Sequence, residues 1–138
     1  MSLRPLYVLL AILLFSCSKD DENRIPDVYV NYQITLQEFN IKSNNGLLLV
    51  NKGNNTGIAG LIIYRKPNNE WIAFDRCSSV NPEQQCAVIP DDPNLTATDP
   101  CSGAKFSMFD GSPVKAPATR GLKEYNVIIT NFTLAVSN

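Results

Sequence analysis

The sequence predicts an all-β fold, an antiparallel sandwich or barrel with a loop-rich small subdomain inserted between two groups of strands. Three observations predict it. Val28, Val30, Tyr32, Ile34 and Leu36 fall on one parity, while Tyr29, Asn31, Gln33, Thr35 and Gln37 fall on the other. That period of two reads as a strand with one buried face. Further apolar, β-branched runs are separated by Asn, Gly and Pro turn signals. No amphipathic stretch keeps a helical period beyond a turn or two. The insertion is marked by composition, because residues 75–121 hold six of the nine prolines and three of the four cysteines.

The elements follow in order. After the alternating segment, Asn44-Asn45-Gly46 turns the chain into Leu47–Val50, a short strand ended by Asn51-Lys52-Gly53-Asn54-Asn55. Gly60–Arg65 and Glu70–Asp75 flank Pro67-Asn68-Asn69 and read as a hairpin. Within the insertion, short strands are expected at Ala87–Ile89, Leu95–Thr98 and Lys105–Phe109. Tyr125–Thr130 and Phe132–Val136, separated by Asn131, complete the base. The expected base is thus 27–74 with 122–136. Trp71, Tyr64, Phe74, Phe106 and Phe109 are large enough to line a groove, but on strands such residues are expected in the core.

Composition removes several classes of function. The chain has 138 residues, 18% of them charged, and a net charge of −1. No basic surplus is available to neutralise phosphates, so nucleic-acid binding is not expected. The histidine count is zero. That excludes His-based acid–base catalysis, Ser-His-Asp and Cys-His nucleophiles, and His-ligated metal sites. Asp91-Asp92, Asp99 and Asp110 lack the regular ligand spacing of a calcium loop. No carboxylate pair is singled out for glycoside hydrolysis. The chain is not expected to be an enzyme.

The N-terminus carries an export signature. Arg4 precedes an unbroken apolar run from Leu6 to Phe15, well short of the ~20 residues that span a bilayer. Leu14-Phe15-Ser16-Cys17 resembles the lipobox of bacterial lipoproteins, which implies cleavage before Cys17 and acylation of its thiol. Ser18-Lys19-Asp20-Asp21-Glu22-Asn23-Arg24 is an acidic tether. It resembles the lysine-plus-acids signal that sends some lipoproteins to the outside of the outer membrane. The expected division is a signal peptide at 1–16, an acylated cysteine and tether at 17–26, and one domain at 27–138. The expected location is the outer membrane, lipid-anchored and facing outward, where disulfides persist.

The middle of the domain carries a second resemblance. Gly103, Phe106, Asp110-Gly111, Pro113, Pro117, Leu122 and Tyr125 match the second cluster-binding loop of Rieske [2Fe–2S] domains. That loop runs Cys-x-Cys-His-Gly-x-x-Phe, then an Asp-Gly turn, then a Pro-x-x-x-Leu segment leading into a strand. Ala73-Phe74-Asp75-Arg76-Cys77 occupies the place of the first loop, whose form is Cys-x-His. The resemblance spans residues 27–136 and implies a Rieske-like fold, with 75–121 as its cluster-binding subdomain.

The resemblance also assigns ligand positions, and they are degenerate. A Rieske cluster takes two thiolates on one iron and two imidazoles on the other. Here Cys77 and Ser79 stand at the first-loop positions, and Asp99 and Ser102 at those of the second. Many Rieske domains tie their loops with a disulfide through the residue that Cys101 matches, which implies a partner in either Cys77 or Cys86. A zinc site from Cys77, Cys86, Cys101 and Asp99 lacks a tight Cys-x₂-Cys pair and is not expected. No metal and no cofactor are expected.

The expected protein is therefore similar to the cluster-less Rieske-like lipoproteins of bacterial surfaces. It would be a non-catalytic binding or structural module, held to the membrane by its lipid and recognising an unidentified protein or small molecule. Two alternatives stand beside it. One is a Rieske-type electron-transfer or redox protein using an atypical metal centre or its cysteines. The other is a subunit of a larger surface complex.

Overall fold

Ten short strands and one two-turn helix make up the computed structural model, which describes residues 24–138. The expected signal peptide, Cys17 and the acidic residues of the tether lie outside the described residues. A six-stranded antiparallel sheet has the order β1-β10-β9-β4-β3-β2, and a four-stranded sheet has the order β5-β6-β7-β8. The large sheet uses β1 (Asn31–Thr35), β2 (Leu47–Val50), β3 (Leu61–Arg65), β4 (Trp71–Asp75), β9 (Glu124–Ile129) and β10 (Thr133–Ser137). The small sheet uses β5 (Ile89–Pro90), β6 (Thr96–Thr98), β7 (Lys105–Ser107) and β8 (Pro113–Lys115). It lies wholly within the expected 75–121 insertion. The all-β, antiparallel reading holds.

β3 and β4 are the wall shared by two cores. Leu61 to Tyr64 are all buried, and so are Ile72 to Asp75. Such a run without alternation arises when both faces of a strand are covered. On one face Ile62, Tyr64, Ile72 and Phe74 meet Val88, Ala97, Ala104, Phe106, Met108 and Leu122, so the small subdomain packs directly on the hairpin. On the other, Leu61, Ile63 and Ala73 meet Val30, Ile34, Phe39, Tyr125, Leu134 and Val136. The hairpin pairs Leu61 with Asp75 through Arg65 with Trp71, as the Pro67-Asn68-Asn69 turn implied. Asn69 takes a left-handed conformation, φ 67°.

The structure corrects the sequence reading at three places. The alternation of 28–37 does not form one strand: β1 ends at Thr35, and Leu36–Lys42 forms helix α1. Capping wins there over strand pattern. The Thr35 hydroxyl accepts from the Glu38 amide at 3.0 Å, and Leu36 N–H donates to the Phe132 carbonyl at 2.9 Å. Phe39 is then buried edge-on against Trp71, with ring centroids 4.8 Å apart. β8 was not expected at all; every one of its residues is exposed, so it carries no burial pattern. Phe109 leaves the core and is 45% exposed, with the Lys66 ammonium 5.6 Å from its ring centroid.

Candidate functional site

The two loops that the sequence singles out lie side by side at the small-subdomain end. The first leaves β4 at Asp75, whose buried carboxylate collects four donors. Ile58 N–H reaches it at 2.7 Å, Ala59 N–H at 3.1 Å, Cys77 N–H at 2.8 Å and the Tyr125 hydroxyl at 2.8 Å. Burial and this hydrogen bond push the Tyr125 hydroxyl pKa up, so it stays a donor. The loop then closes on itself: Ser78 N–H donates to the Cys86 carbonyl at 2.8 Å, and Val88 N–H to that of Arg76 at 2.7 Å. A single 3₁₀ turn at Pro82–Gln84 crosses its tip.

The second loop joins β6 to β7. Asp99 N–H donates to the Ala104 carbonyl and Gly103 N–H to the Asp99 carbonyl, both at 2.8 Å. Gly103 supplies the φ of 77° that this turn needs. The loops are joined covalently by Cys86–Cys101, with Cα atoms 6.3 Å apart. Of the two pairings left open by the sequence, the structure takes this one. Cys77 is the free thiol and is buried.

A polar network joins the loops a second time, and Asp99 is its centre. The side chain is fully buried. Its Oδ2 accepts from the Ser78 hydroxyl at 2.7 Å and from the Ser102 hydroxyl at 2.6 Å. Its Oδ1 accepts from Cys101 N–H at 2.8 Å. Burial works to raise the Asp99 pKa, but the hydrogen bonds from Ser102, Ser78 and the Cys101 amide outweigh it and hold it below the usual carboxylate value.

Two of the four assigned ligand positions come together and two do not. Asp99 and Ser102 touch. Ser79 points elsewhere, its hydroxyl donating to the Arg120 carbonyl at 2.7 Å. Its neighbour Ser78 is the residue that reaches Asp99, and nothing in the chain marked it beyond a second hydroxyl in the run. Cys77 lies below, its thiol 3.6 Å from the carbonyls of Ser78 and Pro82. Burial, with the Asp75 and Asp99 carboxylates adding to it, pushes its pKa up to about 12. Such a thiol is protonated and a poor nucleophile or metal ligand.

Solved structures show what this arrangement is built on. Over 81% of its length the chain is similar to the whole of the plasma-membrane Rieske protein PetC3 from the cyanobacterium Synechocystis PCC 6803, at TM-score 0.58 and 23% identity. The fold is Rieske-like. The ferredoxin of carbazole 1,9a-dioxygenase from Nocardioides aromaticivorans IC177 is also similar, at TM-score 0.52 and 14% identity over 80% of this chain and 97% of that one. A chain of the complex of reduced oxygenase and oxidized ferredoxin in carbazole 1,9a-dioxygenase matches at TM-score 0.54 and 18% identity, over 78% of this chain and 93% of that one. No protein-family model matches the chain, and no curated protein matches it significantly in sequence.

The residues of this Rieske-like domain do not fit a [2Fe–2S] cluster. The chain has no imidazole to offer. Asp99 has both carboxylate oxygens engaged by protein donors. The sulfurs of Cys86 and Cys101 lie with an Asp99 oxygen within 4.8 Å of one another, but they are bonded to each other and neither is a thiolate. The zinc set considered from the sequence fails for the same reason.

Beside the loops the domain has a cavity of about 260 Å³. Arg24, Arg120 and Lys123 line it together with Asp27, Ser79 and Gly121. The Lys123 ammonium is held by the Asp27 carboxylate and the Pro26 carbonyl. Ser79 apart, the sequence did not flag these residues. They are ordinary surface charges in the chain, and only folding brings 24 beside 120 and 123.

Proposed function

We propose that this chain is a lipid-anchored surface protein whose Rieske-like domain has lost the [2Fe–2S] ligands and serves as a non-catalytic binding or structural module. The supporting observation is the Asp99 network. A carboxylate at one assigned ligand position takes its hydrogen bonds from Ser78, Ser102 and the Cys101 amide, so the loops meet through hydroxyls and a disulfide. The lipobox-like Leu14-Phe15-Ser16-Cys17 and the acidic tether support attachment to the outer membrane and exposure at the cell surface. Among the described residues no helix is long and apolar enough to cross a membrane.

Iron and zinc analysis with a visible spectrum tests the reading. The sample is the chain from Ser18 onward, purified without chelator or added reductant. We expect no stoichiometric metal and no charge-transfer bands. One or two irons per chain, with a visible spectrum bleached by dithionite, would overturn the proposal in favour of an electron carrier with an atypical centre.

A further inference from the structure

We propose that Cys86, Cys101 and Asp99 form a zinc site that exists only while the Cys86–Cys101 disulfide is reduced. The site lies beyond the binding-module reading and depends on neither the lipid anchor nor a bound partner.

Proximity and donor type carry the argument. A carboxylate oxygen of Asp99 and the sulfurs of Cys86 and Cys101 all lie within 4.8 Å of one another. Donors on one tetrahedral zinc stand about 3.7 Å apart, given Zn–S of about 2.3 Å and Zn–O of about 2.1 Å. Two thiolates with one carboxylate suit a borderline-soft ion such as zinc better than calcium or magnesium, and water takes the fourth position. Hydrogen bonds do not exhaust Asp99. Its Oδ1 takes the Cys101 N–H, and a carboxylate oxygen has two lone pairs. The Ser78 and Ser102 hydroxyls on Oδ2 hold the carboxylate in orientation, as outer partners of metal ligands do. Cys77 stays outside the set, its thiol turned to the carbonyls of Ser78 and Pro82.

The sulfurs are kept together by more than their own bond. Ser78 N–H donates to the Cys86 carbonyl at 2.8 Å. The Ser78 hydroxyl donates to Asp99 at 2.7 Å, and Asp99 accepts from Cys101 N–H at 2.8 Å. A non-covalent path therefore runs from Cys86 to Cys101 and survives cleavage of the disulfide. Cys101 is exposed and Cys86 half-buried, so an incoming thiolate has access. A dithiol supplies two electrons and two protons: the Cys86–Cys101 bond breaks, both cysteines become thiols, and the reductant closes to its own disulfide. Zinc then displaces the two thiol protons to solvent.

The test uses the chain from Ser18 onward, which contains every described element and lacks Cys17. It is reduced with dithiothreitol, desalted under nitrogen and titrated calorimetrically with zinc chloride beside the oxidised protein. We expect one zinc per chain in the reduced protein and no saturable binding in the oxidised one. Cadmium in place of zinc should give an ultraviolet thiolate charge-transfer band in the reduced protein alone. Cys86→Ser, Cys101→Ser and Asp99→Asn should each weaken zinc binding by about tenfold or more, while Cys77→Ser should bind as the parent does. The ¹⁵N spectrum of the reduced protein should keep the dispersed resonances of β3, β4 and β9 before metal is added. Absence of saturable zinc binding after reduction overturns the proposal, as does equal binding in the two redox states. Unaltered binding in Cys101→Ser overturns it too. So does collapse of the spectrum on reduction, because the non-covalent path would then fail to hold the sulfurs. Iron in the protein as purified defeats the proposed function and leaves this site standing, whereas failure of the zinc titration leaves the proposed function standing.

Discussion

Asp99 and Cys77 are neighbours in function more than in sequence, because each is fixed in one protonation state by its surroundings. The folded pKa of Asp99 lies below its ordinary value, so the ionised form stabilises the native state. That contribution is complete above the unfolded pKa of about 3.9 and is lost as pH falls through the folded value. We expect the urea midpoint to fall between pH 5 and pH 3. In Ser78→Ala/Ser102→Ala the fall should be shallower, since the depression loses its main cause. Equal slopes in the two proteins would show that the hydroxyls do not set the titration. Cys77 is the opposite case, a buried thiol held neutral. In the chain from Ser18 onward, Ellman's reagent at pH 8 should find no thiol in the native protein and one per chain in urea. Rapid native labelling would mean that the first loop opens far more readily than its hydrogen bonds suggest.

At the scale of elements, the turn after β7 tests the placement of the second loop. Gly111 has φ 75°, and a Cβ there would lie 2.7 Å from Cε1 of Phe74. Gly111→Val combines backbone strain with overpacking and should destabilise by about 2–4 kcal/mol, read as a lower urea midpoint at constant slope. The disulfide closes a loop with a sequence separation of 15, for which the chain-entropy model gives about 3 kcal/mol. Cys101→Ser should lose about that much. Hydrogen exchange should rise mainly in β5–β8 while β3, β4 and β9 stay protected, because both cysteines lie within the insertion.

Elements also show what could be read in the chain. The β3–β4 hairpin was legible because its turn residues and apolar runs agree. The Asp110-Gly111 turn was legible because only glycine suits its φ. Helix α1 was hidden by a period-two pattern that happened to continue through Leu36, although Thr35-Leu36-Gln37-Glu38 is a capping sequence. The disulfide partner was not legible, since pairing depends on which backbone segments come together, and both Cys77 and Cys86 sit in the same loop. The cavity was invisible for the same reason, its cations being distant in sequence.

For the whole molecule, one hairpin serves two cores. The large sheet and the small subdomain cover opposite faces of β3 and β4, so loosening one exposes apolar surface of the other. The proposed membrane attachment is a separate question, tested at Cys17. Metabolic labelling with a radioactive fatty acid should mark the wild-type chain and not Cys17→Ala, which should leave the membrane fraction. Label retained in the variant would place the anchor elsewhere.

Among the described residues the large sheet ends at β1 on one margin and at β2 on the other. The two margins differ in character. β1 reads Asn-Tyr-Gln-Ile-Thr, whereas β2 reads Leu-Leu-Leu-Val with no charge, and its Leu49 is exposed. Leu47 is paired on its outer side by Asn44, and beyond it β2 has no second strand partner among the described residues; an uncharged strand open in this way is a template on which another copy can add. In a concentrated preparation, the margin at 48–50 is where self-association would nucleate. The polar Asn51-Lys52 that follows it is the chain's nearest gatekeeper against that growth.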